Sequence, residues 1–157
     1  MFKKMRRSEF EVGKKKSLEI LANGLYGVIG TIGENGYPSA TPFCHVVEDE
    51  TIFIHCSNKT GSFLSSIKNN DQVAFTLVSK YRLNPADFVI DYTSVMAHGK
   101  AKIVASNSEK IRILKLFLNK YSKSFMEKGI DHIHEDLTNT AIVGIKIEHI
   151  TGKSRFK

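Results

Sequence analysis

The chain has 157 residues, 41% of them hydrophobic and 25% charged, with only three prolines. That length and balance describe a single soluble globular domain with enough apolar side chain to fill a core, and they exclude a disordered chain. The longest apolar runs, Leu25–Ile32 and Ala141–Ile145, fall far short of the roughly 20 residues that cross a bilayer.

No apolar segment follows the basic N-terminus as a secretory leader requires, so the expected location is the cytoplasm, with no membrane partner. The net charge of +7 is concentrated early: Lys3, Lys4, Arg6, Arg7, Lys14, Lys15 and Lys16 face only Glu9 and Glu11. No helix-turn-helix, zinc-finger or RNP-type aromatic pattern accompanies that charge, so nucleic acid is not expected as a partner. The arm reads as a solvated segment or as charge that draws in an anionic cofactor. Cys44 and Cys56 read as core or near-core thiols. They would fall on adjacent antiparallel strands if Glu48–Glu50 is the turn between them.

In chain order, residues 1–16 form an extended or partly helical basic arm. Ser17 can cap a short helix, Leu18 to Ala22, with helical pattern reaching back among the lysines and Asn23-Gly24 as a left-handed stop. Leu25–Ile32 is a strand whose two glycines imply curvature or close backbone approach. A turn at 33–36 leads to a second strand carrying Pro38 and Pro42. Prolines cannot donate to a ladder, so this strand is irregular, bulged or at an edge, with backbone groups left free near Thr41–His45. A third strand, Thr51–His55, follows the acidic turn.

Lys59-Thr60-Gly61-Ser62 then places backbone donors and hydroxyls at the start of a helix running from about Ser62 to Asn69. That is an arrangement of an anion site as well as of an ordinary cap. Phe63, Leu64 and Ile67 share its core face. Val73–Val78 is a fourth strand, residues 79–87 a polar loop, and residues 88–104 a long strand with a bend at Gly99. Ser106 to Glu109 fits a capping box for a helix to about Lys120, with Ile111, Leu114 and Leu118 inward. Tyr121–Thr138 reads as a second short helix broken at Gly129, and Thr140–Ile150 as the last strand.

Antiparallel neighbours without a βαβ rhythm predict a mainly β domain, a small barrel of six or seven strands with two or three peripheral helices, spanning 1–157 without a linker. The absence of GxGxxG and of strand–helix alternation argues against a Rossmann fold. His132, His134 and Glu135 resemble part of a metal site but lack a further ligand in the pattern, so no metal is expected. His45, His98 and His149 lie singly in strands. No nucleophile elbow, Walker loop or HExxH helix occurs, and hard chemistry would have to come from a bound cofactor.

Met5-Arg6-Arg7, NGLYGVIGTIGENGYPSATPFCHVV, IFIHCSNKTGSFLSSIKNN, YTSVMAHGKAKIV and the closing ITGK, in that order over residues 5–153, resemble the pyridoxamine 5′-phosphate oxidase-like family, in particular its nitroimidazole-resistance (Nim-type) branch. The resemblance implies a split β-barrel that forms a homodimer, with FMN between the subunits. It implies that the strand carrying Thr41, Pro42, Phe43, Cys44 and His45 lies along the flavin ring, and that Ser57, Lys59, Thr60, Gly61 and Ser62 take the phosphate. It further implies that His55 sits near flavin and substrate as the catalytic residue, and that Ser94 and Lys153 approach the cofactor, Tyr92, Ser94 and Val95 matching a family pattern in which Thr93 replaces arginine.

Ser62-Phe63 stands where relatives commonly carry a basic residue, which predicts weaker phosphate binding by the scale of one charge-assisted contact, about 1.5–3 kcal/mol. The arginines that grip substrate phosphate in the oxidase proper are not found. The expected function is therefore reduction of a small organic acceptor, a nitroaromatic among the candidates, with NAD(P)H as donor. A non-catalytic flavin- or haem-binding carrier or sensor on the same barrel is the alternative.

Overall fold

The structure, a computed structural model, describes residues 2–59 and 61–156. After a 3-10 turn at Ser8–Phe10, β1 (Glu11–Val12) leads to α1 (Lys14–Asn23), β2 (Tyr26–Ile32), β3 (Pro38–Cys44), β4 (Val46–Glu48) and β5 (Thr51–Ser57). Then come α2 (Gly61–Asn69), β6 (Gln72–Asn84), β7 (Val89–Ile103), α3 (Asn107–Tyr121), α4 (Met126–Asp136) and β8 (Thr140–Ser154). The strands form one antiparallel sheet in the order β3-β2-β6-β7-β8-β5-β4, with β1 added on β8.

The two ends of that order, β3 and β4, are consecutive in the chain and separated only by His45. One extended segment therefore pairs with β2 through its first half and with β5 through its second. That is how the sheet becomes a split β-barrel. Ile29, Ile52, Ile54, Phe75, Val95, Val143 and Ile145 fill the interior, and α3 and α4 cover a second cluster around Ile113, Phe117, Ile133 and Ile142. Close packing fixes one sequence feature directly: a Cβ on Gly27 would lie 2.4 Å from the Phe75 ring, so the strand glycine marks close approach as its position suggested.

Several local expectations are revised. The first helix starts at Lys14, and Ser17 sits inside it, buried, its hydroxyl bonded to the Gly13 carbonyl at 3.1 Å instead of capping. Gly24 has φ −63°, so the helix ends without a left-handed residue. The segment 79–84 is strand, because β6 continues to Asn84 paired with β7 after a register shift between Val78 and Lys80, and the loop shrinks to the 3-10 turn Pro85–Asp87 with Phe88 in the left-handed region. β8 runs on to Ser154. Gly129 does not break α4; its missing Cβ lets the helix lie against Leu118, 2.5 Å from where a Cβ would stand. The sheet holds eight strands and the described chain four α-helices, more than the six or seven and two or three expected. Cys44 pairs with Tyr26 and Cys56 with Ala141, so the two thiols do not occupy paired strands, and no disulfide joins them.

No helix among the described residues is long and apolar enough to cross a membrane. The Ser106 cap is as expected: its side chain accepts the Glu109 N–H.

Candidate functional site

β3 is an edge strand in regular register with β2, from Ile32↔Pro38 to Tyr26↔Cys44. Prolines 38 and 42 lack the N–H that a paired position would need, and backbone groups alternate sides along a strand. Residues 38, 40, 42 and 44 consequently turn their backbones to the open edge, which leaves the Ala40 and Cys44 amides facing outward. Beside the strand lies a cleft of about 460 Å³, lined by Thr31, Glu34, Ser39, Thr41, Gly61, Ser62, Phe63 and Ser66 among others. It sits over the first turn of α2, where helix amides lack intrahelical acceptors. Phe43 and Phe63 form an aromatic pair at 5.0 Å between the two elements.

The expected phosphate segment divides between two clefts. Gly61 and Ser62 line the first with Thr41. Ser57 and Lys59 line a second, of about 450 Å³, together with His55, Cys56, Asp136, Asn139 and Thr140. The 57–59 corner is tied down by the Lys59 amide on Ser57 Oγ (3.2 Å) and the Asn58 amide on the Asn139 carbonyl (2.7 Å). Thr60 lies outside the described residues. His55 stacks edge-on against Phe117 at 4.7 Å, and desolvation lowers its pKa, so the ring is predominantly neutral at pH 7.

A phosphate-bearing flavin fits the first cleft in its donors. An added Cβ at Gly61 would meet nothing within 4 Å, leaving room for a phosphate against the backbone, and the hydroxyls of Thr41 and Ser62 adjoin it. Charge is less favourable. Among the described lining residues there is no cation, and Glu34 carries a carboxylate. Phe63 is used for packing against Phe43.

His45 differs from its expected role. It is fully buried, its Nε2 donates to the Leu21 carbonyl at 2.7 Å, and its ring packs edge-on against Phe75 at 4.9 Å. Burial lowers its pKa to about 4. Its backbone is occupied as well: the amide donates to Tyr121 Oη (3.0 Å), while Tyr121 Oη (2.6 Å) and Lys120 Nζ (2.8 Å) both reach its carbonyl. The ring lies in the core, its Nδ1 buried without a hydrogen-bond partner, and the backbone groups are taken within the chain, so the residue ties down the split in the barrel. Lys120 and Tyr121 carry no local sequence signal for this task, because their partners are more than 70 residues away. Desolvation lowers the Lys120 pKa to about 8.

Ser94 and Lys153 are cross-strand partners on β7 and β8 and line neither cleft. Lys153 Nζ donates to Tyr92 Oη at 2.8 Å. His132 and His134 are exposed on α4, and among the described residues no three His, Cys, Asp or Glu side chains stand close enough to share a metal ion.

A comparison with curated proteins finds no match. Solved structures share the fold at low identity. A candidate 5-nitroimidazole antibiotic resistance protein from Bacteroides thetaiotaomicron VPI-5482 superposes with TM-score 0.72 at 19% identity, over 91% of this chain and 85% of that one. A conserved hypothetical protein from Mycobacterium tuberculosis gives TM-score 0.81 at 16% identity, over 96% and 90%. A flavocytochrome from Azotobacter vinelandii gives 0.77 at 17%, over 98% and 73%. The sequence profile of pyridoxamine 5′-phosphate oxidase matches residues 14–154, nearly the whole barrel from α1 to the end of β8, and the chain therefore belongs to the pyridoxamine 5′-phosphate oxidase-like family.

Proposed function

We propose that the protein is a homodimeric FMN-binding flavoprotein that passes reducing equivalents from NAD(P)H to a small organic acceptor, with nitroaromatics among the candidates. The observation that carries this reading is the 460 Å³ cleft between the outward-facing edge of β3 and the first turn of α2, in a chain of this family. Its volume is that of small-molecule sites. The Ala40 and Cys44 amides supply fixed donors along a ring lying on β3, and the first turn of α2 with Thr41 and Ser62 holds the phosphate. Lys59 is the nearest expected cation by sequence, set in the neighbouring cleft. When bound, the flavin supplies the hydride chemistry.

His55 serves in its neutral form. Its ring N–H donates to the acceptor, and Phe117 fixes the orientation of the ring. Ser94 and Lys153, outside both clefts of their own chain, are suited to complete the site of a second copy. The apolar side chains left in water along the outer β6–β7 hairpin support such a dimer: Tyr81 is 71%, Leu83 62% and Phe88 96% exposed.

The test is an absorbance spectrum of purified protein between about 300 and 600 nm after addition of FMN and desalting. Flavin bands near 375 and 450 nm that remain, together with NADH or NADPH oxidation that falls in His55→Ala at unchanged flavin content, support the reading. A protein that retains flavin but oxidises neither donor is a carrier or sensor. A Soret band near 400 nm from the purified protein makes it a haem carrier, a reading that draws on the flavocytochrome among its structural neighbours. Loss of all chromophore overturns both.

A further inference from the structure

A third cleft, of about 410 Å³, opens on the outer face of the sheet and meets the first cleft only at Thr31. The strand register sets its floor. Gly30 pairs with Ala74, Ala74 with His98 and His98 with His149, so these four residues form one row across β2, β6, β7 and β8. Their neighbours Ile29, Phe75 and Ala97 are buried in the core, which turns the row outward because side chains alternate along a strand. Phe2, Ile32 and Pro38 wall the cleft, and Glu148 is the one charged residue among its described lining.

Packing does not account for the open floor. A Cβ on Gly30 would stand 3.8 Å from the Ala74 carbonyl oxygen and 4.0 Å from the Ala74 Cβ, which is ordinary contact. One on Gly99 would lie 2.1 Å from the Lys146 carbonyl oxygen. Gly99 is small because the bulge between β7 and β8 brings backbone against it, whereas Gly30 is small where a side chain fits. The space over Gly30 and Ala74 has the volume of a small-molecule site.

Three features describe what would fill it. His98 lines the cleft, and its Nδ1 is buried with no hydrogen-bond partner among the described residues. Buried polar atoms are nearly always paired, so this one calls for a polar group from a bound molecule. Phe2 is the wall free to move. Residues 2–5 form neither helix nor strand, the side chain is 47% exposed, and its ring rests on His149 at 4.4 Å and on His98 at 5.1 Å between centroids. With Glu148 at the cleft and no cation in its described lining, an anion is disfavoured.

We propose that this cleft binds a small uncharged aromatic alcohol, a phenol or its larger ring homologue. The ring lies over Gly30 and Ala74, between Phe2 and the wall of Ile32 and Pro38, and the hydroxyl pairs with His98 Nδ1. A hydroxyl both donates and accepts, so it satisfies either tautomer of the histidine. Flavin is not required for this binding, since none of Thr41, Gly61 and Ser62 lines the cleft.

NMR titration of the purified, isotope-labelled full chain with 2-naphthol, naphthalene and 2-naphthoate tests the site. Expected are saturable shifts at Gly30, Ala74 and the His98 ring with 2-naphthol, at an affinity about tenfold above that of naphthalene, the scale of one hydrogen bond. The anionic 2-naphthoate should bind more weakly than either. His98→Phe should erase the preference for 2-naphthol over naphthalene. Gly30→Val, which fills the floor, should weaken both, with a melting curve like the parent's. Phe2→Ala lies on the exposed arm, where folding is not at stake, and should weaken both several-fold. The proposal is overturned if 2-naphthol does not bind saturably at millimolar concentration, if it binds no better than naphthalene, or if 2-naphthoate binds best. Parent-like binding by folded Gly30→Val or by Phe2→Ala overturns it as well. So does displacement of 2-naphthol by FMN, which would put the ring in the flavin cleft instead.

Discussion

Around His45 the backbone groups exposed by the break in the edge strand find partners within the chain. In the outer half of the β6–β7 hairpin, by contrast, Tyr81, Leu83, Phe88 and Ile90 stay in water. At the split the problem is polar: amides and carbonyls lose their ladder, and burying them unpaired costs roughly 1–3 kcal/mol each. The C-terminal turn of α3 solves it, since Tyr121 and Lys120 also reach the carbonyls of Leu25 and Gly24, both at 2.6 Å. At the hairpin the problem is apolar, and no described element of the chain covers it. The split is solved within one chain, while the hairpin's apolar surface is what the proposed dimer would cover.

The comparison breaks most visibly at the hairpin. Leu83 and Ile90 are cross-strand partners, so Leu83→Lys combined with Ile90→Glu keeps a favourable pair across the ladder while removing the apolar surface. Dimerisation measured by analytical ultracentrifugation should weaken by about 100-fold, near 3 kcal/mol, with the circular dichroism unchanged. A parent protein that is monomeric at high concentration would remove the proposed dimer.

At the split, the largest effect is acid sensitivity. A histidine held at a pKa of about 4 against an ordinary 6.5 is neutral in the folded chain and takes up its proton more readily when unfolded. Its contribution to stability is whole above pH 6.5 and is lost as pH falls toward 4, about 3 kcal/mol in all. Urea unfolding of the parent and of His45→Gln across that range should show a steeper pH slope for the parent; parallel curves would remove His45 from the explanation. Next comes Tyr121→Phe, which takes the acceptor from the His45 amide and the one O–H shared by the Leu25 and His45 carbonyls. A loss of about 2 kcal/mol in chemical denaturation is expected, against little change for an exposed residue such as Tyr37. The smallest effect sits at the other end of the same helix, where Ser106→Ala should cost about 1 kcal/mol by removing the cap on Glu109.

Local chemistry explains which features were legible beforehand. Prolines 38 and 42 announced an edge because they lack a donor, and β3 is that edge. The Ser106 cap and the apolar face of α2 followed from spacing, with Leu64 and Ile67 buried. The polar stretch 79–84 misled, since Ser79, Lys80, Tyr81 and Arg82 have the composition of a loop; pairing with β7 over the whole hairpin overrides it. Gly129 misled likewise, being small to admit Leu118 and not to end a helix. Of the candidate site, Thr41, Gly61 and Ser62 meet at one cleft, whereas His55, Ser57 and Lys59 meet at the next, a division set by how β5 passes the start of α2.

The sequence by itself determined the antiparallel β character, the edge strand, the helix caps and the family, because each depends on residues a few positions apart or on an ordered set of motifs. Only the tertiary structure decided that His45 is buried where β3 gives way to β4, that Lys120 and Tyr121 hold it there, and that Phe10 gathers cations from both ends of the chain. Those outcomes depend on pairing between segments distant in sequence, where burial and unpaired backbone groups, not local preference, set the energy.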